Sequence, residues 1–136
     1  MCIKAFGHSK TVAMVLVLLL VGACSSEPDQ GELAAVAAKG YYDLLLEGNY
    51  GRYVDGTYRA DSIPDSYRDQ LVLNARMFME QQQAEHRGIK EVRIATAKAD
   101  TARHTARVLL TFVYGDSSAE EVLVPMVQVQ GRWYMK

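Results

Sequence analysis

GIKEVRIATAKADTARHTARVLLTFVY, residues 88 to 114, decides the fold. Upstream of Gly88, apolar residues recur at steps of three and four, the repeat of a helix face. From Ile89 onward the step becomes two, the repeat of a strand. Val92, Ile94 and Thr96 alternate with Glu91, Arg93 and Ala95. After an Asp100-Thr101 turn, Ala106, Val108, Leu110, Phe112 and Tyr114 alternate with Arg107, Leu109, Thr111 and Val113. The chain thus passes once from helices to strands, at Gly88.

Downstream, Gly115 to Ser118 turn the chain back into a third strand over Glu121 to Gln130. Gln130-Gly131 then turn it into a fourth, Trp133 to Lys136. Strands that follow one another so closely pair with their neighbours, which predicts an antiparallel meander. Upstream, a first helix is predicted over Leu33 to Glu47. Its apolar face reads Leu33, Val36, Ala37, Gly40, Tyr41, Leu44 and Leu45, and Lys39, Asp43 and Glu47 form the wet face. Gly48 suits a left-handed stop, and Asn49 caps a short second helix over about Tyr50 to Asp55. Pro64-Asp65 begin a third helix, with Leu71, Val72, Ala75, Phe78, Met79 and Gln82 on its face. Three helices followed by about four strands define an α+β class.

The first 32 residues read differently. Val12 to Ala23 are twelve apolar residues behind Lys4 and Lys10. A helix needs about 20 to cross a bilayer, so the run reads as a secretory signal peptide. Val21-Gly22-Ala23-Cys24 resembles the lipobox of bacterial lipoproteins, in which cleavage falls just before the cysteine and the cysteine carries acyl chains such as palmitate, the lipid joined to its thiol as a thioether. That resemblance implies a signal peptide over 1–23, lipidation at Cys24 and a mature chain tethered to a membrane. Residues 24–32 begin with the lipidated cysteine and are otherwise polar, with Pro28 and Gly31, the composition of a flexible tether. Residues 33–136 form the folded domain. Ser25, where an aspartate retains enteric lipoproteins on the inner membrane, favours the outer membrane of a bacterial envelope.

Cleavage leaves 113 of the 136 residues, enough for one domain with its own core. Losing Lys4 and Lys10 from 15 basic residues leaves 13 against 16 acidic, a net charge of -3. A mildly acidic chain without basic clusters argues against a nucleic-acid partner. Cys24 is the one mature cysteine, so no disulfide within the mature chain is available. His86 and His104 lack companions at ligand spacing, so neither a metal nor a cofactor is expected. His86 reads as a solvated residue at a frayed helix end. His104 reads as a solvated terminal residue too, although its strand parity could point it into a cavity.

The order of elements resembles the NTF2-like fold, a cone of helices packed on a curved antiparallel sheet. The match is closer to small lipoproteins of unknown function near the lumazine-binding-like group. It rests on Tyr41-Tyr42 with Gly48-Asn49-Tyr50, Gly88-Ile89, Tyr114-Gly115-Asp116, Val124-Pro125 and Gly131-Arg132-Trp133-Tyr134. These are turn and core positions, so the resemblance implies a fold and no reaction.

Such a cone holds a cavity between helices and sheet. Tyr41, Leu45, Phe78, Met79, Val108, Leu110, Phe112 and Tyr114 are the expected lining. Two outcomes stand open, a ligand-sized pocket or a core filled by these same side chains. The tyrosines of the helical half, Tyr42, Tyr50, Tyr53, Tyr58 and Tyr67 among them, read singly as ring-packing residues with wet hydroxyls. No acid falls on the apolar face read for the first helix, and no nucleophile or phosphate motif occurs, so no catalytic residue is assigned. The leading reading is an anchored module that binds a small apolar ligand or an envelope protein. Its rivals are an acid-base enzyme using the cone and a structural subunit of an envelope assembly. Leu73 and Met77, off the main face of the third helix, mark a surface for a homodimer or another partner.

Overall fold

A computed structural model describes residues 28–136. The expected signal peptide, Cys24 and the first residues of the expected tether lie outside the described residues. Helices α1 (Gln30–Leu46), α2 (Tyr50–Asp55) and α3 (Asp65–His86) precede strands β1 (Ile89–Asp100), β2 (Thr105–Tyr114), β3 (Ala119–Val129) and β4 (Arg132–Met135). The strands pair in sequence order, each antiparallel to the next. The switch from helix to strand falls at Gly88, and the class is α+β. No described helix is long and apolar enough to cross a membrane.

α1 begins three residues before its expected start, so residues 30–32 are its first turn rather than tether. The Gln30 side chain explains the extension. Its amide oxygen accepts from Trp133 Nε1 (3.3 Å) and Gln128 Nε2 (3.2 Å), which fastens the helix start to β3 and β4.

The face of α1 that meets the sheet is not the one its larger apolar residues mark. Ala34, Ala35, Ala38 and Leu45 are buried, whereas Leu33 and Val36 are 41% and 63% exposed. The physical reason is distance. A stripe of alanines lets the helix backbone approach the sheet closely, and Leu or Val there would hold it off. The bulkier residues are therefore left on the far side.

β2 is the middle of the core. Ala106, Val108, Leu110, Phe112 and Tyr114 are all buried on the face beneath the helices. Val92 of β1 and Val124 and Met126 of β3 are buried in the same cluster. β1 carries register shifts between Ile89 and Glu91 and between Ile94 and Thr96. Such bulges bend a strand and raise its twist. β4 gains a further neighbour, because the backbones of Gly56 and Tyr58 bond Met135 on both sides, each at 2.8 Å. Gly56 must lack a side chain here, since a Cβ would sit 2.4 Å from the Tyr41 ring.

α3 sits less deeply. Only Ala75 and Gln82 are buried along it, and Phe78, expected inside, is 36% exposed. It packs chiefly beside α2, which leaves a space between α3 and the sheet.

Candidate functional site

That space is a cavity of about 400 Å³, walled by Tyr42, Tyr53, Phe78, Phe112, Tyr114 and Val122, with Gln82, Glu85, His86 and Glu120 as its polar lining. Each element contributes for a local reason. Tyr42 follows Ala35 and Ala38 along the buried side of α1 and reaches the end of β2, its ring 5.3 Å from Phe112 and 5.5 Å from Tyr53. Phe112 and Tyr114 come from the inward alternation of β2. Tyr53 and Phe78 also line a smaller neighbouring cavity of about 250 Å³, so they form part of the wall of both.

The polar end is assembled by two turns in contact. Arg87 takes a left-handed conformation (φ 60°) and ends α3. The β2–β3 turn then lies directly against it. Gly115 N donates to Gly88 O (2.9 Å) and Asp116 N to His86 O (3.0 Å). A Cβ on Gly115 would stand 2.3 Å from the Arg87 carbonyl oxygen, so only glycine permits the approach. This contact brings His86 onto Tyr114, the rings stacked at 4.2 Å, with His86 Nδ1 3.1 Å from Asp116 Oδ2. Tyr114 Oη donates to Glu120 Oε2 (2.8 Å).

The electrostatics follow from these neighbours. Bonds from the Ser118 hydroxyl and backbone N–H, with His86 assisting, hold the Asp116 carboxyl down at about 2. Burial, then the bond to Glu120, pushes the Tyr114 phenol up to about 12. Burial, with Tyr42 beside it, raises Tyr53 as well. Both phenols therefore stay protonated near neutrality and act as neutral hydrogen-bonding groups.

Gln82 is the most informative of the lining residues. It is 8% exposed, yet its side-chain amide makes no hydrogen bond to any described residue. No enclosed side-chain polar atom is left unsatisfied among the described residues, so the amide atoms open onto the cavity space.

Of the eight residues expected to line the cavity, Phe78, Phe112 and Tyr114 do so. Leu45, Val108 and Leu110 are instead filled core, each at 1% exposure or less. Met79 packs against that core from its rim. Tyr41 lies away from the cavity, its hydroxyl donating to Trp133 O (2.6 Å) beside a separate groove. His86 is corrected, being no frayed terminal residue but a wall of the cavity. His104 is solvent-exposed in the β1–β2 turn at φ 53° and does not point into a cavity. Tyr42 and Tyr53 are lining residues. Glu120 was hidden because the third strand begins at Ala119, two residues early, which pairs Glu120 with Phe112 on the inner face. Among the described residues, no group of three His, Cys, Asp or Glu could hold a metal ion.

No protein-family model matches the chain, and no curated protein matches it. The chain is similar to several solved structures, among them the following two. One is a Campylobacter jejuni protein described as a candidate NTF2-like transpeptidase, with TM-score 0.58 and 12% identity over 72% of this chain and 92% of that one. The other is a SEC-C motif containing protein from Rhodopseudomonas palustris, with TM-score 0.48 and 19% identity over 73% of this chain and 71% of that one. Likeness at this identity concerns the fold alone, and on the Campylobacter protein the fold is NTF2-like.

Proposed function

We propose that this is a lipid-anchored protein of the bacterial envelope whose NTF2-like domain binds a small ligand in the cone-shaped space between α3 and the sheet. The ligand has an apolar, ring-sized body and one polar edge. The observation that carries this is the cavity of about 400 Å³ walled by the rings of Tyr42, Tyr53, Phe78, Phe112 and Tyr114, onto which the Gln82 amide opens without a partner among the described residues. A ligand edge offering a donor and an acceptor can take the place of water on that amide, which fixes the ligand's orientation. The rings supply stacking surface without charge. The anchor reading rests on the Val21–Cys24 motif and the short apolar leader.

The test is native mass spectrometry on protein extracted from its own host's membranes, with displacement of the neutral fluorophore N-phenyl-1-naphthylamine as a second readout. A retained small molecule, and fluorophore binding lost in Phe112→Ala and weakened in Gln82→Leu, are expected. Wild-type protein that carries nothing and leaves the fluorophore unbound contradicts the reading.

Acid-base catalysis in the same cavity is the second reading, favoured by the Asp116–His86 pair beside Tyr114. Those two side chains are 33% and 32% exposed, at the mouth rather than deep within. General acid-base work calls for a buried group with a shifted pKa. Recovery of the retained molecule chemically altered by wild type but not by His86→Ala distinguishes catalysis from binding.

A further inference from the structure

The outer stripe of α1 is unexplained by the cavity. Leu33, Val36, Gly40 and Leu44 follow one another on the side away from the sheet, and the first two are the exposed large residues of the helix. Leu33, Gly40 and Leu44 also edge a groove of about 490 Å³ that holds Arg52 and Arg132. Arg52 and Arg132 are the charged residues of the groove's own lining, while on the helix Asp43 pairs with Lys39 at 2.7 Å and Glu32 and Glu47 stand exposed near its two ends. Where the chain leaves this helix matters as much. Cys24 precedes Gln30 by six positions, which even fully extended spans only about 20 Å.

We infer that the outer stripe of α1 is the surface on which the domain rests against an anionic bilayer. The inference rests on the lipid-anchor reading. An anchor at Cys24 holds the start of α1 within a short distance of the headgroups, where a helix with exposed Leu and Val can settle its apolar side into the interface. Arg52 and Arg132 then meet lipid phosphates, an attraction that grows with anionic lipid and fades with salt. Docked this way, the domain has a fixed orientation instead of swinging on its tether.

Trp133, the one tryptophan of the chain, lines the same groove and reports on it. The experiment uses lipidated protein from its host, reconstituted into phosphatidylethanolamine–phosphatidylglycerol vesicles containing acyl-brominated lipid. Flotation scores the anchor, and quenching of Trp133 scores the face. Wild type should float and be quenched. Leu33→Asp with Val36→Asp, and Val36→Asp alone as the milder variant, should float equally well with quenching reduced by about half or more. Replacing phosphatidylglycerol with neutral lipid should weaken wild-type quenching in the same direction. Equal quenching of wild type and both variants on floating vesicles overturns the docking face and leaves the anchor standing. Wild type that fails to float overturns the anchor reading and this inference with it.

Discussion

Asp116 is the residue at which the helical layer and the sheet meet at the site. Its carboxylate receives two bonds from Ser118 and faces His86, and its folded value of about 2 lies below the ordinary 3.8. A depressed carboxyl stabilises the fold fully above its unfolded value and loses that contribution as pH falls through the folded one. Thermal unfolding of wild type and Asp116→Asn should therefore differ by a constant amount above about pH 5 and converge between pH 4 and pH 2. A gap that stays constant across that window rules the linkage out. Gly115 next door makes a steric prediction. Its missing Cβ faces a backbone carbonyl, which cannot rotate away as a side chain can. Gly115→Ala should cost about 1–3 kcal/mol in urea unfolding, with His86 displaced from Tyr114. Little of this was legible in the sequence. His86 and Asp116 are 30 positions apart, and nothing local in either stretch tells that two turns will touch. Glu120 is legible only from a third strand that starts at Ala119, because the inward parity of Phe112 then carries across to it.

Among the elements, α1 separates periodicity from packing. Its sequence holds two apolar stripes on opposite sides, one of large residues and one of alanines. Periodicity alone identifies the helix but cannot rank its stripes, since hydrophobic scales favour Leu and Val. Closeness of approach ranks them the other way, and the alanine stripe wins because it admits the most contact with the sheet. Ala38 is fully buried and Val36 is the most exposed apolar residue of the helix. Ala38→Leu should then destabilise by about 1–3 kcal/mol through overpacking. Val36→Ala should change stability by less than about 0.5 kcal/mol. Denaturant midpoints in the reverse order would return the larger stripe to the core. Strands were easier to read than helices for the same reason. In β2 one face carries Ala106, Val108, Leu110, Phe112 and Tyr114, and alternation leaves no second candidate face beneath the helices. α3 shows the intermediate case. Its face was read correctly at Ala75 and Gln82, yet Phe78 on that face borders open space. Phe78→Ala should accordingly fall short of the ~3–5 kcal/mol of a buried phenylalanine, whereas Leu110→Ala should reach ~2–5 kcal/mol.

At the scale of the whole molecule, the fold and the proposed anchor are separable parts of one chain. The described core runs from Ala34 to Met135, and the cavity wall begins at Tyr42. None of these residues belongs to the leader or to the lipobox. Acyl chains contribute about 0.8 kcal/mol per buried methylene, so two or three of them hold a protein at a membrane without any help from its fold. Attachment and binding should therefore fail independently. Cys24→Ser removes the thiol on which the proposed lipidation depends, and processing in lipoproteins follows lipidation. The variant should accumulate as a larger, leader-bearing form that takes up no labelled palmitate, while wild type is labelled and shorter. Detergent-solubilised wild type and Cys24→Ser should nonetheless unfold at the same temperature and bind N-phenyl-1-naphthylamine with the same affinity. Palmitate label on the Cys24→Ser protein, or a processed band at the wild-type position, refutes the lipobox reading. Loss of fluorophore binding in Cys24→Ser refutes the independence of the two parts, because it would mean that the anchor region helps to shape a cavity whose described walls all lie in residues 42 to 122.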